Sequence, residues 1–327
     1  MSAGIPSSAR EILDSGVLCY LSIRTARGPH LTPVVYVRDG GRLWVTTSRS
    51  SLKARIWRKD PHVAGLVEEG GRVVTFRGTV RVYDGLDPTS WPSAVLAAPR
   101  LLRAGARFTV KNARFFAGYA VDASRVPLAW SPPGRVFAAI EPEGGYVVDH
   151  PAGTILEGWG RWPADVDYST SFQSAARDGA FHRGVPGRVL EAASAATFGA
   201  LALEGPLLTV LPLRPQRAAR SPKAEAVLSR AFADLAFVDR EFRAALTVGY
   251  ASTWRAAEMT GMLLQGEGRL YAPDSVRQGR EALRRRLRGT ASGPDDLALV
   301  RLRPSRVVWW DGWTSGSEEP AAKRRTK

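Results

Sequence analysis

Pro29-His-Leu-Thr-Pro-Val-Val-Tyr36 and, far along the chain, Pro206-Leu-Leu-Thr-Val-Leu-Pro-Leu213 read as two versions of one stretch. Each follows an apolar strand pattern, Val17-Leu-Cys-Tyr-Leu-Ser-Ile23 in the first case and Gly199-Ala-Leu-Ala-Leu203 in the second. Before these lie Pro6-Ser-Ser-Ala-Arg-Glu-Ile-Leu13 and Pro186-Gly-Arg-Val-Leu-Glu-Ala-Ala193. The ends correspond too, Ser124-Arg-Val-Pro-Leu-Ala-Trp130 answering Ser305-Arg-Val-Val-Trp-Trp310. The offsets are 177 and 181 residues. Solenoid units repeat every 20–50 residues or so, so this repeat reads as a duplicated domain. One chain can then build between its halves a cleft that a homodimer builds between two subunits.

Within the first unit, Ser7 or Ser8 caps a short helix over Ala9 to Asp14. Strands are expected at Val17–Ile23, Leu31–Val37 and Leu43–Thr47, the last two joined by the hairpin signal Asp39-Gly-Gly. A helix over Ser50–Lys59 stops before Pro61. Strands at His62–Glu68, Val73–Tyr83 and Phe115–Val121 complete the unit. Many short strands joined by glycine turns point to a β-barrel. Ser131 to Gly187 is rich in Gly and Pro, and reads as the end of the first barrel plus an irregular connection. The second unit repeats the layout with one gap. After Pro215 no third strand is expected, and Ser221-Pro-Lys-Ala-Glu-Ala-Val-Leu228 reads as a helix. The expected division is 1–145, first split barrel; 146–185, connection; 186–316, second and degenerate barrel; 317–327, a basic disordered tail.

The 327 residues leave room for two domains, and 44% hydrophobic content gives each a core. No apolar run approaches the roughly 20 residues that span a bilayer. Met1-Ser-Ala-Gly-Ile-Pro6 lacks a signal-peptide layout, so a cytoplasmic protein with no membrane partner is expected. The one cysteine, Cys19, excludes an internal disulfide. A net charge of +15 suggests an anionic partner. Its dense runs, Leu283-Arg-Arg-Arg-Leu-Arg288 and Lys323-Arg-Arg-Thr-Lys327, suit a solvated helix face and a tail. No nucleic-acid reading motif accompanies them, so a small molecule is the expected partner. An internal pseudo-dimer makes a monomer, with further homodimerisation open.

Chemistry concentrates in Leu43-Trp-Val-Thr-Thr-Ser-Arg-Ser-Ser-Leu-Lys-Ala-Arg-Ile-Trp-Arg-Lys-Asp-Pro61. A strand ends in two threonines, and hydroxyls and cations follow at a helix start. Such a set suits a phosphate, with Lys53 as a point charge and hydroxyls fixing the oxygens. A serine-capped, solvated basic helix accounts for the same spacing. His30, His62, His150 and His182 have no metal-ligand spacing, so no metal is expected. Trp254, Trp309, Trp310 and Trp313 are candidates for stacking on a planar ligand.

Arg27-Gly-Pro-His-Leu-Thr-Pro-Val-Val-Tyr36, Gly41-Arg-Leu-Trp-Val-Thr-Thr47, Ser51-Leu-Lys-Ala-Arg55, Arg58-Lys-Asp-Pro-His-Val-Ala64 and Phe76-Arg-Gly-Thr-Val80 together resemble the flavin-binding split barrels. This family includes pyridoxamine-phosphate-oxidase-like proteins and deazaflavin-dependent reductases. The resemblance covers roughly residues 8–140 and, more faintly, the second half. It implies a mainly β fold with flanking helices, as two tandem split β-barrels forming an intramolecular pseudo-dimer. It also implies an oxidoreductase using FMN or a deazaflavin, with haem behind these for want of an axial histidine. A non-catalytic carrier, sensor or regulator is the alternative. By position, Thr32, Pro33, Val34 and Val35 would pass under the flavin ring, and Thr46 and Thr47 would lie beside it. Arg49, Ser51 and Lys53 would hold the phosphate, and Tyr36 and Arg77 would be polar groups near the ring. Leu52 stands where the oxidases carry a second basic residue, and no pyridoxal-phosphate-binding stretch follows, so vitamin B6 is not the expected substrate. Pro222 before Lys223 argues against a second phosphate site.

Overall fold

The first helix, α1 (Ser7–Ser15), follows from Ala9, Ile12 and Leu13, which fall on one face and are buried. In this computed structural model, residues 4–122, 134–150, 154–160, 184–204, 208–215, 224–229, 241–251, 255–271 and 297–319 are described. The expected strand meander follows α1 as β1 (Leu18–Thr25), β2 (Gly28–Asp39) and β3 (Arg42–Ser48). Gly40 and Gly41 both take positive φ at the β2–β3 turn, which explains the glycine pair there. Helix α2 (Leu52–Trp57) leads to β4 (His62–Glu69) and β5 (Arg72–Tyr83). Two helices come next, α3 (Trp91–Lys111) and α4 (Ala113–Val121), then β6 (Arg135–Asp149) and β7 (Thr154–Gly160).

The second unit runs α5 (Gly187–Ala195), β8 (Gly199–Glu204), β9 (Thr209–Pro215), β10 (Ala224–Ser229), β11 (Glu241–Tyr250), β12 (Thr260–Tyr271), β13 (Leu297–Asp311) and β14 (Thr314–Glu318). Its sheet has the order β10-β9-β8-β11-β12-β13-β14, closed by β10–β13. The first sheet has the order β3-β2-β1-β4-β5-β6-β7, closed by β3–β6. Each is therefore a closed barrel of six antiparallel strands with a seventh strand added at one edge.

Three expectations are corrected here. Phe115–Val121 is not a strand but lies in α4. A short apolar run cannot be assigned by periodicity alone, and here Phe115 and Gly118, three residues apart, are the buried pair. The second unit does not lack its third strand. Ala224–Ser229 is β10, paired to β9 on one side and β13 on the other. Two flanking strands override the helical preference of Ala-Glu-Ala. The first sheet runs past the expected end at residue 145, since β6 is unbroken to Asp149 and β7 adds to the same sheet. The expected tail lies outside the described residues beyond Glu319, and Ser317 and Glu318 belong to β14.

The two registers can be superposed on a shared irregularity. A β-bulge falls between Arg77 and Gly78, where Gly78 pairs with Pro142. Another falls between Gln265 and Gly266, where Gly266 pairs with Pro304. A Cβ on Gly78 or Gly266 would lie 2.0 Å from the carbonyl oxygen of Glu141 or Arg303, so both bulges require glycine.

The barrels share a core. Leu31, Ala64, Leu66, Val73 and Val148 of the first pack in one buried cluster with Leu201, Val210, Leu246, Leu263 and Leu302 of the second. Buried polar groups cross the seam. Thr75 Oγ1 donates to the carbonyl of Val210, and Thr247 Oγ1 donates to that of Leu31 at 2.8 Å. Leu31 and Val210 occupy corresponding register positions, so the two bonds answer each other across the pseudo-two-fold. Arg77 reaches Thr209, and Gln265, at the position matching Arg77, donates to the carbonyl of Pro29 at 2.7 Å. Among the described residues no helix is long and apolar enough to cross a membrane.

A shared core couples the unfolding of both barrels. Leu31→Ala should destabilise the chain by about 2–5 kcal/mol and shift one calorimetric transition that covers both units. Two transitions, with only one displaced, would refute that coupling.

Candidate functional site

A pocket of about 450 Å³ opens on the seam between the barrels. That is within the roughly 300–1,000 Å³ usual for small-molecule sites. One wall comes from β2, with His30, Thr32, Pro33, Val34 and Val35. A second comes from the end of β3 and the start of α2, with Thr46, Thr47, Ser48, Ser50, Ser51 and Lys53, and Phe115 of α4 adds to it. The facing wall belongs to the second barrel: Ala256, Met259, Val308, Trp309, Trp310, Gly312, Trp313 and Ser315.

The local fold explains this gathering. Ser48 ends β3, and Ser51 caps α2 by accepting the N–H of Ala54 at 3.1 Å. Lys53 is thereby turned back toward β2, where its Nζ donates to Thr32 Oγ1 at 2.5 Å. Trp313 is delivered by a tight β13–β14 turn in which Gly312 has φ +59. A Cβ there would lie 2.7 Å from the carbonyl oxygen of Ala257.

Arg135 completes the polar end, and sequence reasoning missed it. It opens β6 opposite Ser48. Its Nε donates to Thr46 Oγ1 at 3.0 Å and its Nη2 to the Thr46 carbonyl at 3.1 Å. The signal was Gly134-Arg-Val-Phe-Ala-Ala-Ile140, an apolar strand pattern hidden by the Gly- and Pro-rich stretch before it.

Other expected residues go elsewhere. Arg49 is tied to Asp84, which also accepts from Arg58 at 2.7 Å, and it does not line the pocket. Arg77 is buried at the seam against Thr209. Tyr36 points into the first barrel, its hydroxyl donating to the carbonyl of Leu13 at 2.8 Å. Tyr36 shares the strand face of Thr32 and Val34 but lies further along β2, in the buried core of the first barrel. Trp254, Pro222, Lys223 and His182 lie outside the described residues.

The hydrogen bonds leave a set of donors facing the cavity. Thr32 and Thr46 each accept from a cation, and Ser51 accepts from Ala54 and from Thr47 Oγ1 at 3.1 Å. With their oxygens used as acceptors, their O–H groups are the donors that remain for a ligand. Two cations and three hydroxyl donors suit a phosphate. Among the described residues no carboxylate lines the pocket to oppose it. The far end is aromatic. His30 Nδ1 and Trp310 Nε1 are withdrawn from solvent without a hydrogen-bond partner among the described residues, so the cavity also offers polar atoms to a ring. The residues present fit a flavin-type coenzyme, planar at one end and anionic at the other.

At the register positions that match Thr32, Thr46, Thr47 and Arg135, the second unit carries Leu211, Val227, Leu228 and Leu297. At these four described positions hydroxyls and a guanidinium are exchanged for hydrocarbon.

A family model described as pyridoxamine 5'-phosphate oxidase matches residues 6–100. None of the curated proteins compared matches the chain. Among solved structures, a pyridoxamine 5'-phosphate oxidase-related, FMN binding protein from Nostoc punctiforme is 16% identical, covering 42% of this chain and 76% of that chain, with a TM-score of 0.31. A FAD-binding protein from Mesorhizobium loti is 16% identical, covering 44% and 94%, with a TM-score of 0.31. A heme binding protein from Mycobacterium smegmatis is 17% identical, covering 48% and 60%, with a TM-score of 0.32.

Electrostatics give a pH test. Burial, with Arg135 beside it, pushes the Lys53 ammonium down to about 8. Burial, with Lys53 and Arg306 near, pushes the His30 imidazole down to about 3, so it is neutral at pH 7. Lys53 is therefore mostly charged at pH 7 and mostly neutral above pH 9. Affinity for pyrophosphate should fall as pH rises through 8, by up to roughly 10- to 150-fold, the worth of a charge-assisted bond. Lys53→Arg should abolish the fall. The stability of the free protein should move the other way. Between about pH 8 and the ordinary lysine value of 10.5 the unfolded chain binds more protons, so folding strengthens with pH. Titration calorimetry and denaturation at pH 7 and 9 read both.

Proposed function

We propose that this chain, whose first unit is a pyridoxamine 5'-phosphate oxidase-like split barrel, is an oxidoreductase. It uses one FMN or deazaflavin coenzyme per chain to act on a small organic substrate. The observation that carries this reading is the seam pocket, with Lys53, Arg135 and three hydroxyl donors at one end and three tryptophans at the other. Lys53, Ser51, Thr46 and Arg135 would hold the phosphate. Thr32 to Val35 would pass along the ring, and the second barrel would cover it with Trp309, Trp310 and Trp313. The bound ring supplies hydride chemistry, and the protein supplies position and field.

These residues set what the site can do with protons. At pH 7 the Lys53 ammonium is a donor, and the neutral His30 is an acceptor at one ring nitrogen. Tryptophans on the open side exclude water from whatever they cover. A non-catalytic flavin- or haem-binding carrier or regulator is the second reading. It is favoured by the absence of any carboxylate, cysteine or tyrosine among the lining residues, which leaves few groups for general acid–base work.

Titration of FMN and of a deazaflavin, followed by absorbance, tests the proposal. Saturation at one coenzyme per chain is expected. Lys53→Ala and Arg135→Ala should each weaken binding by roughly 10- to 150-fold, and Arg49→Ala by much less. Two coenzymes per chain would show the second unit to be functional. A bound flavin that neither accepts electrons from a reductant nor passes them on would favour the carrier.

A further inference from the structure

Helix α3 presents an unusual outer face. Its inner face is conventional, with Ala104 and Phe108 buried against Val37, Trp44, Tyr83 and Ala139 of the first barrel. Phe108 meets Phe137 edge-on with ring centroids 5.8 Å apart. The outer face should then be polar. Instead Leu96 is 88% exposed, Leu102 76% and Val110 77%, and Trp91 and Val95 stand exposed beside them. At about 100° per residue these side chains form one broad apolar strip along the helix. Phe116 of α4 packs instead against Phe108, with ring centroids 5.9 Å apart.

Charge is distributed as unevenly as hydrophobicity. Between Asp87 and Asp122 there is no acidic residue, while Arg100, Arg103, Arg107 and Arg114 all lie in the stretch and are exposed. Arg103 and Arg107 bond Asp39 at 2.9 and 2.7 Å, yet their side chains remain 60% and 59% exposed. Asp39 itself is buried beneath them, so outward from the helix the field is positive.

We infer that the outer face of α3 is a peripheral docking surface for an anionic lipid bilayer. An apolar strip rimmed by arginine is the composition of a helix that lies in the plane of a membrane interface. The apolar residues would enter the acyl boundary, and the arginines would meet lipid phosphates. A second copy of this chain would supply equally positive charge to the rim, which disfavours self-association through this face. The proposal departs from the sequence-based expectation of no membrane partner. It involves no spanning segment, and it is independent of the coenzyme reading.

Co-sedimentation of the full chain with vesicles tests it. Binding is expected to vesicles of phosphatidylcholine mixed with phosphatidylglycerol, weaker binding to phosphatidylcholine alone, and loss at high salt. Leu96→Asp with Leu102→Asp should abolish binding. Both positions are exposed, so near-ultraviolet dichroism should stay unchanged. Arg100→Ala should weaken binding by about fivefold, the worth of one cation at an anionic surface. No binding to anionic vesicles, or binding that the paired aspartates leave intact, would overturn the inference. So would a dimer in sedimentation velocity that the same pair converts to monomer, since a second copy would then be the occupant.

Discussion

Sheet-against-sheet packing of two barrels around one buried cluster is the constraint on which this molecule depends. Neither barrel closes its own outer face at Leu31, Leu66 or Val73, because those residues are buried by Leu201, Val210 and Leu246 of the other. Burying that much apolar surface is the main favourable term. Polar cross-links set its geometry. The Thr75 and Thr247 hydroxyls satisfy carbonyls on the opposing barrel, and a slip of one residue would strand each of them without a partner. The pocket sits on this seam, so its two walls are held in place by the same contacts.

That arrangement makes the site asymmetric by construction. A symmetric dimer must carry two equivalent pockets. Here the units are joined in one chain, and their residues differ position by position. Where the first unit carries hydroxyls and a guanidinium, the second carries Leu211, Val227, Leu228 and Leu297 at the matching register. The second unit, in exchange, contributes the tryptophans at the end of β13 and the start of β14. The polar side chains of the pocket come from one half, and its tryptophans come from the other.

The buried ammonium of Lys53 ties stability to binding. Desolvation disfavours its charge in the free protein, so the site is a local cost to the fold that an anionic ligand would relieve. Asp39 shows the contrasting arrangement. Burial would raise its carboxyl, but hydrogen bonds from Arg107 and Arg103 outweigh that and hold it below the usual carboxylate range. One charge is buried without a carboxylate partner among the described residues, and the other is paired to hold α3 against the barrel.

Sequence alone determined the barrel class and singled out Thr46, Thr47, Ser51 and Lys53, which line the polar end of the pocket. Those follow from local signals: alternation in β2 and β3, glycine turns, and a Thr-Thr strand running into Ser-x-Lys. It also picked out Trp309, Trp310 and Trp313. Tertiary structure decided the rest. Helix α4 and strand β10 took forms their local composition did not favour, because strand pairing and burial outweigh propensity. Arg135 joined the site only because β6 closes the barrel against β3 and sets it opposite Ser48. Arg49, Arg77 and Tyr36 do not line the pocket, because a salt bridge, the barrel seam and a buried hydrogen bond to Leu13 hold them elsewhere. Spacing along a chain fixes which side chains share a strand or a turn. Which strands lie side by side, and so which distant cations share a pocket, is settled by burial of the common core.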